Sequence, residues 1–155
     1  MRVSISSDHR GGGAVEQISA KLESAGHDVH RVGPSTAESV DYPDSAVAVA
    51  RDVSAGESAF GILVCGTGIG MSIAANKVAG VRAALVHDEL TARLARSHND
   101  ANVLCLSADL LGDHKIEQIV ETFLETEFEG GRHARRVGKI SLIERGDAPS
   151  EPATA

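Results

Sequence analysis

Five short runs of β-branched and aliphatic residues punctuate the chain, at Arg2–Ser6, Asp28–Val32, Gly61–Cys65, Val81–Val86 and Asn102–Ser107. Two of them, GILVC at Gly61–Cys65 and VRAALV at Val81–Val86, are almost unbroken apolar stretches. That is the pattern of parallel strands covered on both faces. Between the runs the period lengthens to that of a helix. Helices are expected over roughly Gly13–Ala25, Ser45–Ala55, Met71–Val78, Glu89–Ser97 and Asp113–Glu125, with a last one from near His133 to about Glu144. Val15, Ile18, Leu22 and Ala25 fall on one helix face, and Ile116, Ile119, Val120, Phe123 and Leu124 repeat the spacing.

Strand–helix alternation of this kind predicts right-handed crossovers and therefore a parallel sheet with helices on both faces. The expectation is a single doubly wound α/β domain over residues 1–145, with five parallel strands in the order 2-1-3-4-5. Residues 146–155, GDAPSEPATA, are rich in Pro, Ala and small polar types and read as a flexible C-terminal tail.

Composition narrows the function classes. One Tyr, three Phe and no Trp leave the core to Val, Ile, Leu and Ala, and supply no platform for stacking bases. A net charge of −7 gives no basic field for a polyanion, so nucleic acid is not an expected partner. A small anion would need a local basic pocket. No run of about 18 apolar residues predicts a membrane helix. The N-terminus MRVSISSDHR enters a strand pattern at once, without the apolar region of a signal peptide. Cys65 and Cys105, far apart in sequence, read as free thiols in a reducing cytoplasm.

In open α/β sheets, ligands bind beyond the carboxyl ends of the strands where the strand order reverses. Here that point lies between the first and third strands. The loops that meet there are Ser7-Asp8-His9-Arg10-Gly11-Gly12 and Gly66-Thr67-Gly68-Ile69-Gly70, the two most chemically loaded in the chain. Topology and residue chemistry choose the same spot.

Cys65 ends an apolar strand, three glycines follow in five residues, and a helix begins near Met71. Glycines let backbone N–H groups converge, and a helix N-terminus adds positive potential, which together make an anion hole. The spacing G-x-G-x-G after the third strand differs from the dinucleotide fingerprint G-x-G-x-x-G after the first. A plain tight turn remains the bland alternative. A thiol at such a place can act as a nucleophile or a proton-abstracting base, or it can simply be core packing. Cys105, inside NVLCLS, fits the core reading better.

Asp8 and His9 suit hydroxyl recognition and phosphate contact, against the alternative of a surface turn. His98-Asn99 closes the fourth helix, where the helix dipole favours a His in any case. No metal-ligand spacing joins the histidines. In Gly130-Gly131-Arg132-His133-Ala134-Arg135-Arg136, three arginines fall in five residues of an acidic chain, and Arg132 and Arg136 share a helix face. Paired guanidinium groups suit phosphate oxygens, although most charge clusters are merely solvated.

With these residues in hand, the chain resembles the ribose-5-phosphate isomerase B and galactose-6-phosphate isomerase family. The motifs are SSDHRG at Ser6–Gly11, DYPD at Asp41–Asp44, GILVCGTGIGMSIAANK at Gly61–Lys77, SHNDANVL at Ser97–Leu104 and FEGGRHARR at Phe128–Arg136. The resemblance implies a Rossmann-like, cytoplasmic homodimer or homotetramer that needs no metal or cofactor and interconverts ribose 5-phosphate and ribulose 5-phosphate. It implies sites shared between subunits. Cys65 matches the base that moves a proton between C2 and C1. Thr67 and the amides of Gly66, Gly68, Ile69 and Gly70 match the hole for the enediolate oxygen. His98 matches the group that opens the furanose ring. Asp8 matches a hydroxyl contact, Tyr42 lies beside the ring, Asn99 touches substrate, and His9, Arg132 and Arg136 match phosphate ligands. One departure stands out: Asp109 occupies a place where many members carry an Arg associated with the phosphate. A neighbouring tetrulose, allose or galactose phosphate is therefore an alternative substrate, and a non-catalytic phosphosugar-binding module is the reading from another class.

Overall fold

The computed structural model describes residues 1–34 and 39–149. Residues 150–155 of the expected tail lie outside the described residues. The elements in chain order are β1 (Arg2–Ser7), α1 (Gly12–Ser24), β2 (Asp28–Arg31), α2 (Tyr42–Ser54), β3 (Phe60–Cys65), α3 (Ile69–Ala75), β4 (Ala83–Leu85), α4 (Glu89–Asn99), β5 (Val103–Ser107), α5 (Asp113–Glu125) and α6 (Arg132–Glu144). All five strands run parallel in one sheet.

The α/β class stands, but the strand order is corrected. It is β2-β1-β3-β5-β4, not 2-1-3-4-5. The VRAALV run looked central because it is apolar. Its strand is only Ala83–Leu85, half-buried, and it pairs on one side alone. All five residues of β5 are buried, and β5 pairs with both β3 and β4. Small alanines at an edge resemble buried aliphatics in a hydropathy pattern, and only the pairing separates them.

Crossover handedness then decides which helix covers which face. The connections through α2 and α3 both move the chain in one direction across the sheet, and those through α1 and α4 move it in the other. Right-handed crossovers place each pair on its own face. Accordingly Val15, Ile18 and Leu22 of α1, Ala92 and Ala95 of α4, and Ile116, Ile119 and Phe123 of α5 pack on Ile5, Ile62, Val64, Leu104 and Leu106. On the opposite face Ala46, Val49, Ala50 and Val53 of α2, with Met71 and Ala75 of α3, cover Leu63, Cys65, Val103 and Cys105. The two-residue alternation of β3 sends Ile62 and Val64 one way and Leu63 and Cys65 the other. Cys65 therefore faces α2 and α3.

Two helices start earlier than expected. Pro43, whose fixed φ suits the first turn, lets α2 begin at Tyr42 behind Asp41. Gly68, at φ 75° and ψ −15°, turns the chain through the left-handed region and starts α3 at Ile69. No described helix is long and apolar enough to cross a membrane.

Candidate active site

The carboxyl ends of β1, β3 and β5 converge on one rim. Asp8, 7% exposed, follows β1 directly. Its backbone N–H donates to the Val64 carbonyl at 3.2 Å. Its Oδ1 accepts from the amides of Arg10 at 2.9 Å and Gly11 at 3.3 Å. This turn requires glycine at position 11, because a Cβ there would lie 2.5 Å from the Val64 oxygen and 2.8 Å from the Ser7 Cβ. Asp8 thus holds the start of α1 against β3.

Cys65 ends β3, 5% exposed, with its Sγ accepting from the Gly68 N–H at 3.1 Å. The loop beyond it is braced by β5. Ala108 N–H donates to the Cys65 carbonyl at 2.9 Å and Asp109 N–H to the Gly66 carbonyl at 3.1 Å, while the Ser107 hydroxyl donates to the same Gly66 oxygen at 2.6 Å. Thr67 is exposed, and its Oγ1 accepts from Ile69 N–H at 3.3 Å. Tyr42 lies across the loop, its ring 2.5 Å from where a Cβ on Gly70 would sit. Gly66, Thr67, Gly68, Ile69 and Gly70 thus lead on from Cys65 with Tyr42 against Gly70, and Asp8 stands at the end of the neighbouring strand. Cys105, one strand away and fully buried, has its thiol pushed up by burial and by the nearby Cys65, so it stays protonated.

His9 is exposed on the same rim. It also lines a cleft of about 470 Å³ with Ser7, Gly12, Glu16 and Arg31, one strand over from Cys65. Arg10 and Asp109 form a forked ion pair, Nε to Oδ2 at 2.9 Å and Nη2 to Oδ1 at 2.8 Å. The Arg10 stem crosses Gly66, with Cδ 3.1 Å from a Cβ placed there. The sequence marked Asp109 as a departure and Arg10 as part of the loaded loop after β1, without pairing the two.

The remaining predicted site residues are elsewhere in the chain. His98 and Asn99 end α4, which runs antiparallel to the strands and so finishes at their amino ends. Arg96, two residues earlier, stacks its guanidinium 4.7 Å from the ring of Phe60, the first residue of β3. Asp100 locks this end, at φ 47°, accepting from Arg96 and Arg82, each at 2.8 Å. Glu129 N–H donates to the Ser97 carbonyl at 3.0 Å and brings the start of α6, with Arg132 and Arg136, to the same place. From Gly61, level with Val103, to Cys65 is four strand steps, roughly 13 Å. His98, Asn99, Arg132 and Arg136 thus stand at the opposite end of the sheet from Cys65.

Sequence reasoning passed over His133. It is 5% exposed, its ring stacks on His98, and Glu129 lies near both. Its neighbour Arg132 carried the signal, and only burial distinguishes it.

Such a layout defines a class: a doubly wound α/β protein with its small-molecule site at the switch point of the sheet. Residues 3–140 match the Ribose/Galactose Isomerase family, and the chain belongs to that family of isomerases. It is 42% identical over 144 residues to ribose-5-phosphate isomerase B of Escherichia coli, covering 93% of this chain and 97% of that one. Among solved structures, ribose-5-phosphate isomerase B of Clostridium thermocellum superposes with a TM-score of 0.92 at 48% identity, over 94% of this chain and 99% of that one. The Mycoplasma genitalium enzyme with bound ribulose-5-phosphate gives 0.88 at 46% identity, over 93% and 96%.

Proposed function

We propose that the protein interconverts ribose 5-phosphate and ribulose 5-phosphate by proton transfer at Cys65. The observation that carries this reading is the Gly68 N–H aimed at Sγ from 3.1 Å, within a glycine loop that opens α3 beside Tyr42. A hydrogen alpha to a carbonyl is weakly acidic, so its removal needs a base and a home for the resulting oxyanion. In this reading the Cys65 thiolate takes the C2 proton of the open-chain aldose. The electron pair moves onto the carbonyl oxygen as the enediolate, held by Thr67 and the Gly66–Gly70 amides. Proton exchange between the two oxygens lets the carbonyl re-form at C2, and the Cys65 thiol returns its proton to C1. Preorganised amide donors are worth about 3–4 kcal/mol in such a step. Asp8 and Tyr42 hold the sugar, and His9 approaches the phosphate.

His98, which would open the furanose ring, Asn99, and the phosphate-binding Arg132 and Arg136 reach this site from a second copy of the chain. Support comes from their position: one chain keeps them at the far end of its sheet, so a complete site needs two. The kinship with enzymes named for ribose 5-phosphate supports the substrate.

The Arg10–Asp109 pair favours a second reading within the same chemistry. A carboxylate on the rim weakens the hold on a phosphate there, and a phosphosugar of different length is then preferred. A panel of four- to six-carbon phosphosugars in one coupled assay separates the two readings. With ribose 5-phosphate, Cys65→Ala should lower kcat by at least about 10²–10⁴-fold, the contribution of general-base transfer, with unchanged circular dichroism. Unchanged turnover in that variant would overturn the mechanism.

A further inference from the structure

Two imidazoles are stacked at the amino end of the sheet. His98, in the last turn of α4, and His133, in the first turn of α6, have centroids 4.1 Å apart and planes within 8°. The His133 side chain is 7% exposed and that of His98 is 36% exposed, so His133 is the inner member of the pair. The Glu129 carboxylate stands 3.9 Å from Nε2 of His98 and 3.7 Å from Nε2 of His133. On its other side, Arg132 Nε donates to His133 Nε2 at 3.4 Å. That bond requires a lone pair on Nε2, hence a neutral ring with its proton on Nδ1.

The surroundings agree with a neutral His133. Burial lowers its proton affinity from the ordinary 6.5, the nearby His98, Arg132 and Arg136 act in the same direction, and Glu129 alone opposes them. The donor atoms of His98, Glu129 and His133 lie within 4.8 Å of one another. They are nevertheless poorly arranged for a metal ion. Parallel rings keep their in-plane lone pairs from converging, and Arg132 already occupies the one on His133.

We propose that His133 is a positioning residue for this half of the site: the face of its ring orients His98, and its Nε2 holds Arg132. One buried side chain would then align the group that handles the ring-opening proton with a group that binds the phosphate. The inference rests on the isomerase reading, since it gives His98 and Arg132 their tasks. Two charged imidazoles in a stack would repel, so a His133 that stays neutral leaves proton exchange to His98.

The test compares full-length wild type with His133→Phe and His133→Leu on ribose 5-phosphate. Phe keeps a flat face for His98 but loses the acceptor for Arg132, and Leu loses both. His133→Phe should raise KM several-fold with kcat nearly retained. His133→Leu should also lower kcat, by up to about 10²-fold, the cost of misplacing a reacting group by roughly 1 Å. Equal effects of the two variants on kcat, or loss of stability with wild-type kinetics, would overturn the proposal. A second readout needs neither variant nor activity. Nitrogen NMR of wild-type imidazoles should find His133 neutral and protonated on Nδ1 at neutral pH. A charged ring, or one protonated on Nε2, refutes the arrangement. A wild-type protein inert toward phosphosugars would sink the isomerase reading, while the NMR would still report on His133.

Discussion

At the rim of the cleft, Arg10 and Asp109 each change what the other can do. Asp109 takes two edges of the guanidinium in a fork, at 2.9 and 2.8 Å, and so offsets the positive charge that Arg10 brings to the rim. The pair is well exposed, with side chains 55% and 36% accessible, so solvent screens it and its strength adds little to folding. Its consequence is for binding. Asp109→Arg removes a carboxylate from the rim, adds a cation and releases Arg10, all of which favour a dianionic phosphate. KM for ribose 5-phosphate should fall several-fold in low salt, and the gain should shrink as salt rises, as it does for exposed charges beyond about 10 Å at 0.1 M. Turnover of unphosphorylated ribose should not change. A KM that rises, or is the same at every salt concentration, would mean that position 109 does not face the phosphate. Asp109 was legible in the sequence as a departure; its partner was not, because 99 residues separate them.

At the level of elements, much of the sheet could be read from hydropathy alone. Strand positions, helix faces and the loaded loops after β1 and β3 all follow from periodicity and glycine spacing. What periodicity missed is lateral order. It cannot tell Ala83–Leu85 at an edge from Val103–Cys105 in the middle, since both runs are apolar and neighbours in a sheet are set by pairing and handedness. It also missed a polar knot that ties α2 to β1 and β2. Asp52 Oδ2 accepts from the Ser4 hydroxyl, from Ser58 Oγ at 3.1 Å, and lies 3.1 Å from His30 Nδ1. Burial pushes the Asp52 carboxyl up, but the bonds from Ser4, His30 and Ser58 outweigh it and hold the group below its ordinary 3.8. A lowered folded value means that the ionised group stabilises the fold above the unfolded value and loses that contribution as pH falls through the folded one. Asp52→Asn should therefore cost about 1.5–3 kcal/mol at neutral pH, the range for hydrogen bonds to a charge. Denaturant melts of the two proteins should converge below about pH 3.8. A difference that stays constant across the acid range would assign the loss to packing instead.

The whole molecule poses the largest geometric demand, because the two sets of proposed site residues sit at opposite ends of one sheet. A single chain cannot bring His98 and Arg132 to Cys65 without unravelling α4, whose end is pinned by Arg96, Arg82 and the Asp100 carboxylate. A twofold pairing solves this directly, since each copy then offers its glycine loop to one site and its α4–α6 corner to the other. The consequence is countable. With the proposed shared site, Cys65→Ala and His98→Gln should each destroy both sites of a pure dimer, and by different routes. In a mixed dimer one site inherits both lesions and the other inherits neither. Random assembly makes half of all dimers mixed, each with one intact site of two, so co-refolded variants should recover about one quarter of wild-type activity. Sites built within single chains would recover none, however the variants are mixed. Simple addition of the two folded variants should recover activity only as fast as subunits exchange. That lag, measured in the same assay, distinguishes a shared site from residual activity in either variant.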